Sequence, residues 1–178
     1  RETSDKLGGQ AIMTNGAGNF AAWLHRYWVH RCCPSQLAPT SGAMGYGLPA
    51  AIAAKLHCPD RPVIAVCGDG DFMMAAPELA TAVQHGANIV VCVFDNGAYG
   101  TIRMHQERAY PGRVSGTDLS NPDFKLMAKA CGCAGYFVDK TEDFSGTLEQ
   151  ALNAGKPALI HVKQSLADIA PGKTLTLS

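Results

Sequence analysis

Hydrophobic positions along the chain fall into two alternating kinds of run. Pro62 to Cys67 and Ile89 to Phe94 are short and almost wholly apolar, as expected of strands buried on both faces of a parallel sheet. Between such runs lie stretches with apolar residues at helical spacing. Asn19 to His30 carries Phe20, Leu24, Tyr27 and Trp28 at that spacing, and Leu48 to His57 is Ala-rich, so it can pack close to a neighbour. Pro77 to His85 is a third helix, with its proline at a tolerated first-turn position. Ala11 to Thr14 reads as a short strand and Ala158 to Val162 as the final one. Asn121-Pro122-Asp123 reads as a helix start, with Asn121 capping, Pro122 at the first helical position and an acid in the first turn; that helix runs to about Ala130. Thr141 or Asp143 caps a last helix ending near Gly155. From about Gly100 to Ser120 no period survives, and a long irregular stretch in a compact domain is usually functional or mobile. The alternation predicts an α/β fold, an open and mainly parallel sheet with helices on both faces.

Composition narrows this to one unit. The chain has 178 residues, 47% hydrophobic and 17% charged, enough for one soluble globular domain over residues 1–178 and too few for two. A formal net charge of zero and the lack of a basic cluster argue against a nucleic-acid partner. The longest apolar runs are strand-length, far short of a membrane span. Seven cysteines without zinc-ribbon spacing, two of them (Cys67 and Cys92) inside apolar runs, point to reduced thiols and a cytoplasmic location. Arg1 is not an initiator methionine, so the chain is expected to be cut from something longer.

Ligands of open parallel sheets bind beyond the carboxyl ends of the strands, which directs attention to the loops after Cys67 and after Phe94. Asp69 and Asn96 lie 27 positions apart, one βαβ unit, so their side chains can converge as hard oxygen donors. Gly68 and Gly70 allow close approach of the backbone to a ligand, and a helix opening near Ala75 would add its positive end. An anion beside a carboxylate calls for a cation between them. Mg²⁺ keeps few protein ligands and completes its octahedron with phosphate oxygens and water. Asp69, Asn96 and one backbone carbonyl would therefore suffice for a magnesium-diphosphate site. Either tripeptide alone, Gly-Asp-Gly or Asp-Asn-Gly, would more often be a turn; their joint placement at successive strand ends changes that balance.

Gly68-Asp69-Gly70, the spacing to Asn96, and the internal run Phe72-Met73-Met74, Glu78-Leu79, Thr81-Ala82 resemble the thiamine-diphosphate signature of the decarboxylase and acetolactate synthase group. The segment Thr40 to Ala51 is similar to the part of that family that holds the cofactor's aminopyrimidine. The resemblance covers about Ala11 to Val162 and implies the diphosphate-binding domain of a thiamine-diphosphate-dependent, acetolactate-synthase-like enzyme. It implies Mg²⁺ held by the Asp69 and Asn96 side chains and the Ala98 carbonyl. It also places Gly68, Gly70, Asp71, Tyr99 and Gly100 with the cofactor-binding residues. It implies that the Gly42 carbonyl accepts from the 4′-amino group, that the backbone of the Ala43-Met44 stretch meets the ring, and that the Met44 side chain supports the bent cofactor. Two departures stand out: Asp95 replaces the usual Asn, sparing the ligand position, and Asp71 replaces a common Ser.

The same resemblance implies decarboxylation of a pyruvate-like 2-oxo acid and ligation of the product to a second carbonyl. His105, where acetolactate synthases generally carry Trp, is the candidate substrate contact, with Thr101 and Ile102 beside it. A Glu hydrogen-bonded to the pyrimidine N1′ activates the cofactor in this family, and it belongs to a separate pyrimidine-binding domain. None of Glu78, Glu107, Glu142 or Glu149 has the right context. That partner would come from the same gene or from a separate subunit, in an enzyme expected to be a homo-oligomer; the isolated chain is expected to be inactive. FAD is a feature of some full-length members and is not assignable from this chain. The alternatives are one subunit of a two-chain 2-oxo acid decarboxylase and a non-catalytic cofactor-binding module. Gly16-Ala17-Gly18-Asn19-Phe20-Ala21 fits a dinucleotide fingerprint but lacks its acid; the resemblance instead implies a loop near the diphosphate, with Asn19 close by. His25 and His30 fall on a surface helix, His57 and His85 near helix ends, and His161 in a strand.

Overall fold

A computed structural model describes residues 2–174. The elements run α1 (Glu2–Lys6), β1 (Ile12–Asn15), α2 (Ala21–Tyr27), β2 (Gln36–Leu37), α3 (Gly47–His57), β3 (Val63–Gly68), α4 (Asp69–Met73), α5 (Glu78–Gln84) and β4 (Val90–Asp95). They continue with α6 (Gly100–Ala109), α7 (Phe124–Ala130), β5 (Ala134–Val138), α8 (Thr141–Leu152), β6 (Ala158–Lys163), β7 (Asp168–Ala170) and β8 (Lys173–Thr174). Six strands form one parallel sheet in the order β2-β1-β3-β4-β6-β5, and β7 and β8 pair as a small antiparallel ribbon. The α/β reading therefore holds.

Successive residues of the central strands feed opposite cores, which is why those runs are apolar throughout. Val63, Ala65 and Cys67 of β3 join Leu48, Phe72, Leu79 and Phe124 on the face covered by α3, α5 and α7. Ile64 and Val66 join Met13, Leu24, Leu148 and Ile160 on the face covered by α2 and α8. All seven cysteines are free, and burial pushes the Cys92 thiol up to about 12. No helix among the described residues is long and apolar enough to cross a membrane.

The local expectations need five corrections. The stretch from Gly100 is irregular only beyond Ala109: α6 fills Gly100–Ala109, and its inward position is the charged Glu107, 3.8 Å from Arg103, so no hydrophobic period marks it. Asn121 does not cap α7. Asp123 does, its carboxylate accepting from the Leu126 N–H at 2.9 Å, which frees Asn121 for another role. Neither Thr141 nor Asp143 caps α8; both lie inside its first turn, and Lys140 precedes it without a side-chain cap. No helix opens at Ala75, since α4 starts at Asp69 and α5 at Glu78. Finally, β6 is not the last strand, and β2 and β5 escaped the pattern because they lie at the sheet edges. The two residues of β2 are too few to show a period, and β5 is half-exposed along most of its length.

The order matters for function. Connections leave β1 toward β2 on one side and return to β3 on the other, so the crevice between β1 and β3 is where loops diverge and a ligand can enter.

Candidate functional site

Three loops meet at that crevice. They follow β1 (Gly16 to Asn19), β3 (Gly68 to Asp71) and β4 (Asn96 to Gly100), with Gly42 and Met44 joining from the segment before α3. The resulting cleft has a volume of about 260 Å³. Gly68, Asp69, Gly70, Asp71, Asn96 and Ala98 all line it, as do Tyr99, Gly100, Thr101 and Ile102. Met44 is 37% exposed and lines the cleft, so it is not a core residue. Ala43 is exposed and outside the lining. His105 is also outside it, exposed on α6 with its Nδ1 3.0 Å from an Arg108 guanidinium nitrogen.

Asp69 is buried, 3% exposed. Its Oδ1 accepts from the Gly70 N–H at 2.9 Å, and its Oδ2 accepts from the Gly97 N–H at 2.9 Å and from Asn121 Nδ2 at 2.7 Å. Burial pushes the Asp69 carboxyl up, and the nearby Asp95 charge adds to this against those three hydrogen bonds. A carboxylate in that condition is stabilised by positive charge, and Oδ1 has only one donor. Asn96 Oδ1 accepts from the Ala98 N–H at 3.1 Å, and the Ala98 carbonyl accepts from the Gly100 N–H at 2.8 Å. The loop is fixed from outside by backbone bonds between Gly97 and Leu119 and between Tyr99 and Thr117, both 2.8 Å. One carboxylate, one amide oxygen and one backbone carbonyl make a donor set suited to a hard divalent cation that keeps water and phosphate oxygens. The residues therefore fit a magnesium-bound diphosphate.

Asp71, also 3% exposed, ties the loops together. It accepts from the Gly45 N–H at 2.8 Å, and Gly45 has a φ of +81°, a left-handed conformation that favours glycine. A Cβ on Gly16 would stand 1.9 Å from Asp71 Oδ1, so the loop after β1 approaches this carboxylate as only glycine allows. Burial raises the Asp71 carboxyl above its usual range, against the Gly45 bond that lowers it. The role left open for Asp71 by the sequence is thus a mechanical one. It joins the Gly42–Gly47 segment to the Gly68–Asp71 loop.

Asp95 does not face the cleft. Burial alone would raise its carboxyl, but Lys163, His161 and Asn121 outweigh burial and hold it at about 2. Lys163 Nζ and His161 Nε2 each lie 2.8 Å from Asp95 Oδ2, and Asn121 Nδ2 lies 2.8 Å from Oδ1. His161 is no ordinary strand residue: it is buried, its ring meeting Phe124 at 5.0 Å and Phe137 at 5.2 Å. A carboxyl lowered by folding contributes stability above its ordinary value, lost as pH falls through its folded value. Asp95→Asn is therefore expected to flatten the fall in folding stability between pH 3.8 and about 2. Denaturant titrations across that window check this, and an unchanged slope would show that the network contributes no pH dependence.

Sequence reasoning missed Trp23, Gln164, Asp168 and Ile169, which complete the cleft wall from α2, from the residue after β6 and from β7. No motif marks them. The loop after β1 was placed correctly near the site: Ala17, Gly18 and Asn19 line it, and the Asn19 N–H donates to Thr101 Oγ1 at 3.0 Å.

Residues 16–162 match the family model for the thiamine pyrophosphate enzyme C-terminal TPP-binding domain. The chain is 33% identical over 163 residues to the mitochondrial acetolactate synthase catalytic subunit of Saccharomyces cerevisiae, covering 91% of this chain and 24% of that protein. It is 32% identical to the acetolactate synthase isozyme 2 large subunit of Escherichia coli, covering 91% of this chain and 30% of the relative. A catabolic acetolactate synthase of Raoultella terrigena is 31% identical, with 94% and 30% covered. The chain thus spans between about a quarter and a third of the length of these relatives.

Proposed function

The chain belongs to the thiamine pyrophosphate enzymes, as their C-terminal TPP-binding domain, and from that premise we propose that it binds thiamine diphosphate through Mg²⁺ within an enzyme that decarboxylates a pyruvate-like 2-oxo acid and ligates the product to a second carbonyl. The observation that carries this reading is the convergence of Gly42–Met44, Gly68–Asp71 and Asn96–Gly100 on one cleft at the β1/β3 crevice.

Bound thiamine diphosphate would supply the carbanion-stabilising chemistry. The chain's own residues bind and orient. Asp69 and Asn96 offer side-chain oxygens to the metal, and Ala98 offers its carbonyl. The backbone of Gly68 and Gly70 would hold the diphosphate. The Gly42 carbonyl would accept from the aminopyrimidine, and the half-exposed Met44 side chain would support the cofactor with an adaptable thioether. Thr101 and Ile102 stand on the substrate side.

The activating Glu is assigned to a partner, a pyrimidine-binding domain from the same gene or another subunit. Two observations support that division. Glu107 is turned toward Arg103 and absent from the cleft lining, as is Glu78 at the start of α5. The cleft, at about 260 Å³, also falls short of the roughly 300–1,000 Å³ of complete small-molecule sites. The isolated chain should therefore bind the cofactor without turning over 2-oxo acids. A homo-oligomeric enzyme and a reducing compartment, the latter supported by the seven free cysteines, belong to the same proposal. Calorimetric titration with thiamine diphosphate and Mg²⁺ tests it: wild type should bind, and Asp69→Ala and Asn96→Ala should not. Equal heats from all three proteins would sink the site assignment.

A further inference from the structure

Behind the cleft the structure holds an arrangement that the cofactor motifs do not require. Two buried carboxylates, Asp69 and Asp95, are held side by side by shared donors. The Asn121 amide nitrogen has two hydrogens. It lies 2.7 Å from Asp69 Oδ2 and 2.8 Å from Asp95 Oδ1, one hydrogen for each. The Gly97 N–H is shared in the same way, 2.9 Å from Asp69 Oδ2 and 3.0 Å from Asp95 Oδ1. Asp95 then places its other oxygen against Lys163 and His161.

Resting on the metal-diphosphate reading above, we propose that Asn121 is a positioning residue for the metal ligand Asp69. By occupying Oδ2 it fixes the carboxylate rotamer and leaves Oδ1, which has a single donor, for the cation. By bridging to Asp95 it ties that ligand to a carboxylate already compensated by Lys163 and His161, so two like charges can stand together in the absence of metal.

Asn121 is well placed to hold a ligand still. It sits just before α7, whose first residue Phe124 is fully buried. The Phe124 ring meets Phe72 at 5.4 Å and His161 at 5.0 Å, both edge-on. Phe72 belongs to α4, the helix that Asp69 begins. One aromatic cluster therefore sets the distance between the bridging amide and the carboxylate it orients. An orienting partner of a metal ligand commonly contributes 10- to 100-fold in metal affinity.

The test measures Mn²⁺ binding, a paramagnetic substitute for Mg²⁺, by electron paramagnetic resonance with the protein saturated in thiamine diphosphate. Asn121→Ala should weaken Mn²⁺ binding by roughly 10- to 100-fold. Asp123→Ala is the control. It removes the cap of the same α7 without touching either carboxylate, and should leave Mn²⁺ affinity within about twofold. Asp69→Ala should abolish the bound signal. If Asn121→Ala binds Mn²⁺ like wild type while Asp69→Ala does not bind, the positioning role is overturned and the cofactor reading stands. Equal losses from Asn121→Ala and Asp123→Ala would also overturn it, reducing Asn121 to a support for α7. Wild-type binding by Asp69→Ala would remove the cofactor reading itself.

Discussion

Asp69→Asn is expected to lower metal-dependent thiamine diphosphate affinity by at least about a hundredfold while leaving the ligand-free fold nearly as stable as before. The first effect follows from removing the one charged member of the proposed ligand set Asp69, Asn96 and the Ala98 carbonyl. Losing one partner of a desolvated charge pair typically costs about 3–5 kcal/mol, and 1.4 kcal/mol is already tenfold in affinity. The second follows from the direction of the Asp69 shift. Its carboxyl is raised by burial and by Asp95, so in the ligand-free protein its ionised form destabilises the fold as pH rises above the ordinary carboxylate value. Removing that charge offsets the Gly70 hydrogen bond, which is lost when the amide turns its oxygen to Gly97 and Asn121 and its nitrogen to Gly70. Calorimetry measures the first effect and thermal denaturation at neutral pH the second. Wild-type affinity in this variant, or a melting temperature lowered by many degrees, would contradict the assignment of Asp69 as a ligand held at the expense of stability.

Phe72→Ala should have the largest effect on stability. Phe72 is 1% exposed, lies in α4 immediately after the Asp69–Asp71 loop, and meets Phe124 edge-on at 5.4 Å. Truncating a fully buried Phe typically costs about 3–5 kcal/mol through lost transfer energy and the cavity left behind. For a chain of this size that corresponds to a melting temperature lower by roughly 10 °C. The loss should reach the site too, because the same ring anchors the helix that carries Asp69. Added cofactor and metal are therefore expected to raise the melting temperature of Phe72→Ala by less than they raise that of wild type. A drop of only one or two degrees would mean that the cluster relaxes around the cavity.

How much of this was legible in the sequence depended on whether a residue's environment was apolar or polar. β3 and β4 were readable because both faces of each strand are apolar, and their register then located the Asp69 and Asn96 loops without further help. The two cleft loops were readable because Gly-Asp-Gly and Asp-Asn-Gly, each more often a plain turn, fall together at the ends of β3 and β4. α6 was invisible for the opposite reason: its inward position is occupied by a charged residue, Glu107, facing Arg103. Asn121 was misread because Asn and Asp are both good caps. Their order in Asn121-Pro122-Asp123 does not say which one capped α7, a matter of two residues that decides whether Asn121 reaches Asp69. His161 illustrates the same limit. Alternation places it in a strand, but only the paired register of β6 with β4 brings it within 2.8 Å of Asp95.

The contact between Asp71 and Gly45 has a consequence for how such domains can be recombined. The segment before α3 and the loop after β3 are assigned to opposite ends of the proposed cofactor, yet the Gly45–Asp71 bond fastens one to the other, and the glycine at position 16 makes room for it. Neither segment is then an independent cassette. Transplanting residues 42–47 of this chain into a relative with a small residue at position 71 would deliver a loop with no anchor, and importing that small residue here would release the loop already present. Exchange between related enzymes should succeed at this boundary only when Gly16, Gly45 and Asp71 travel together.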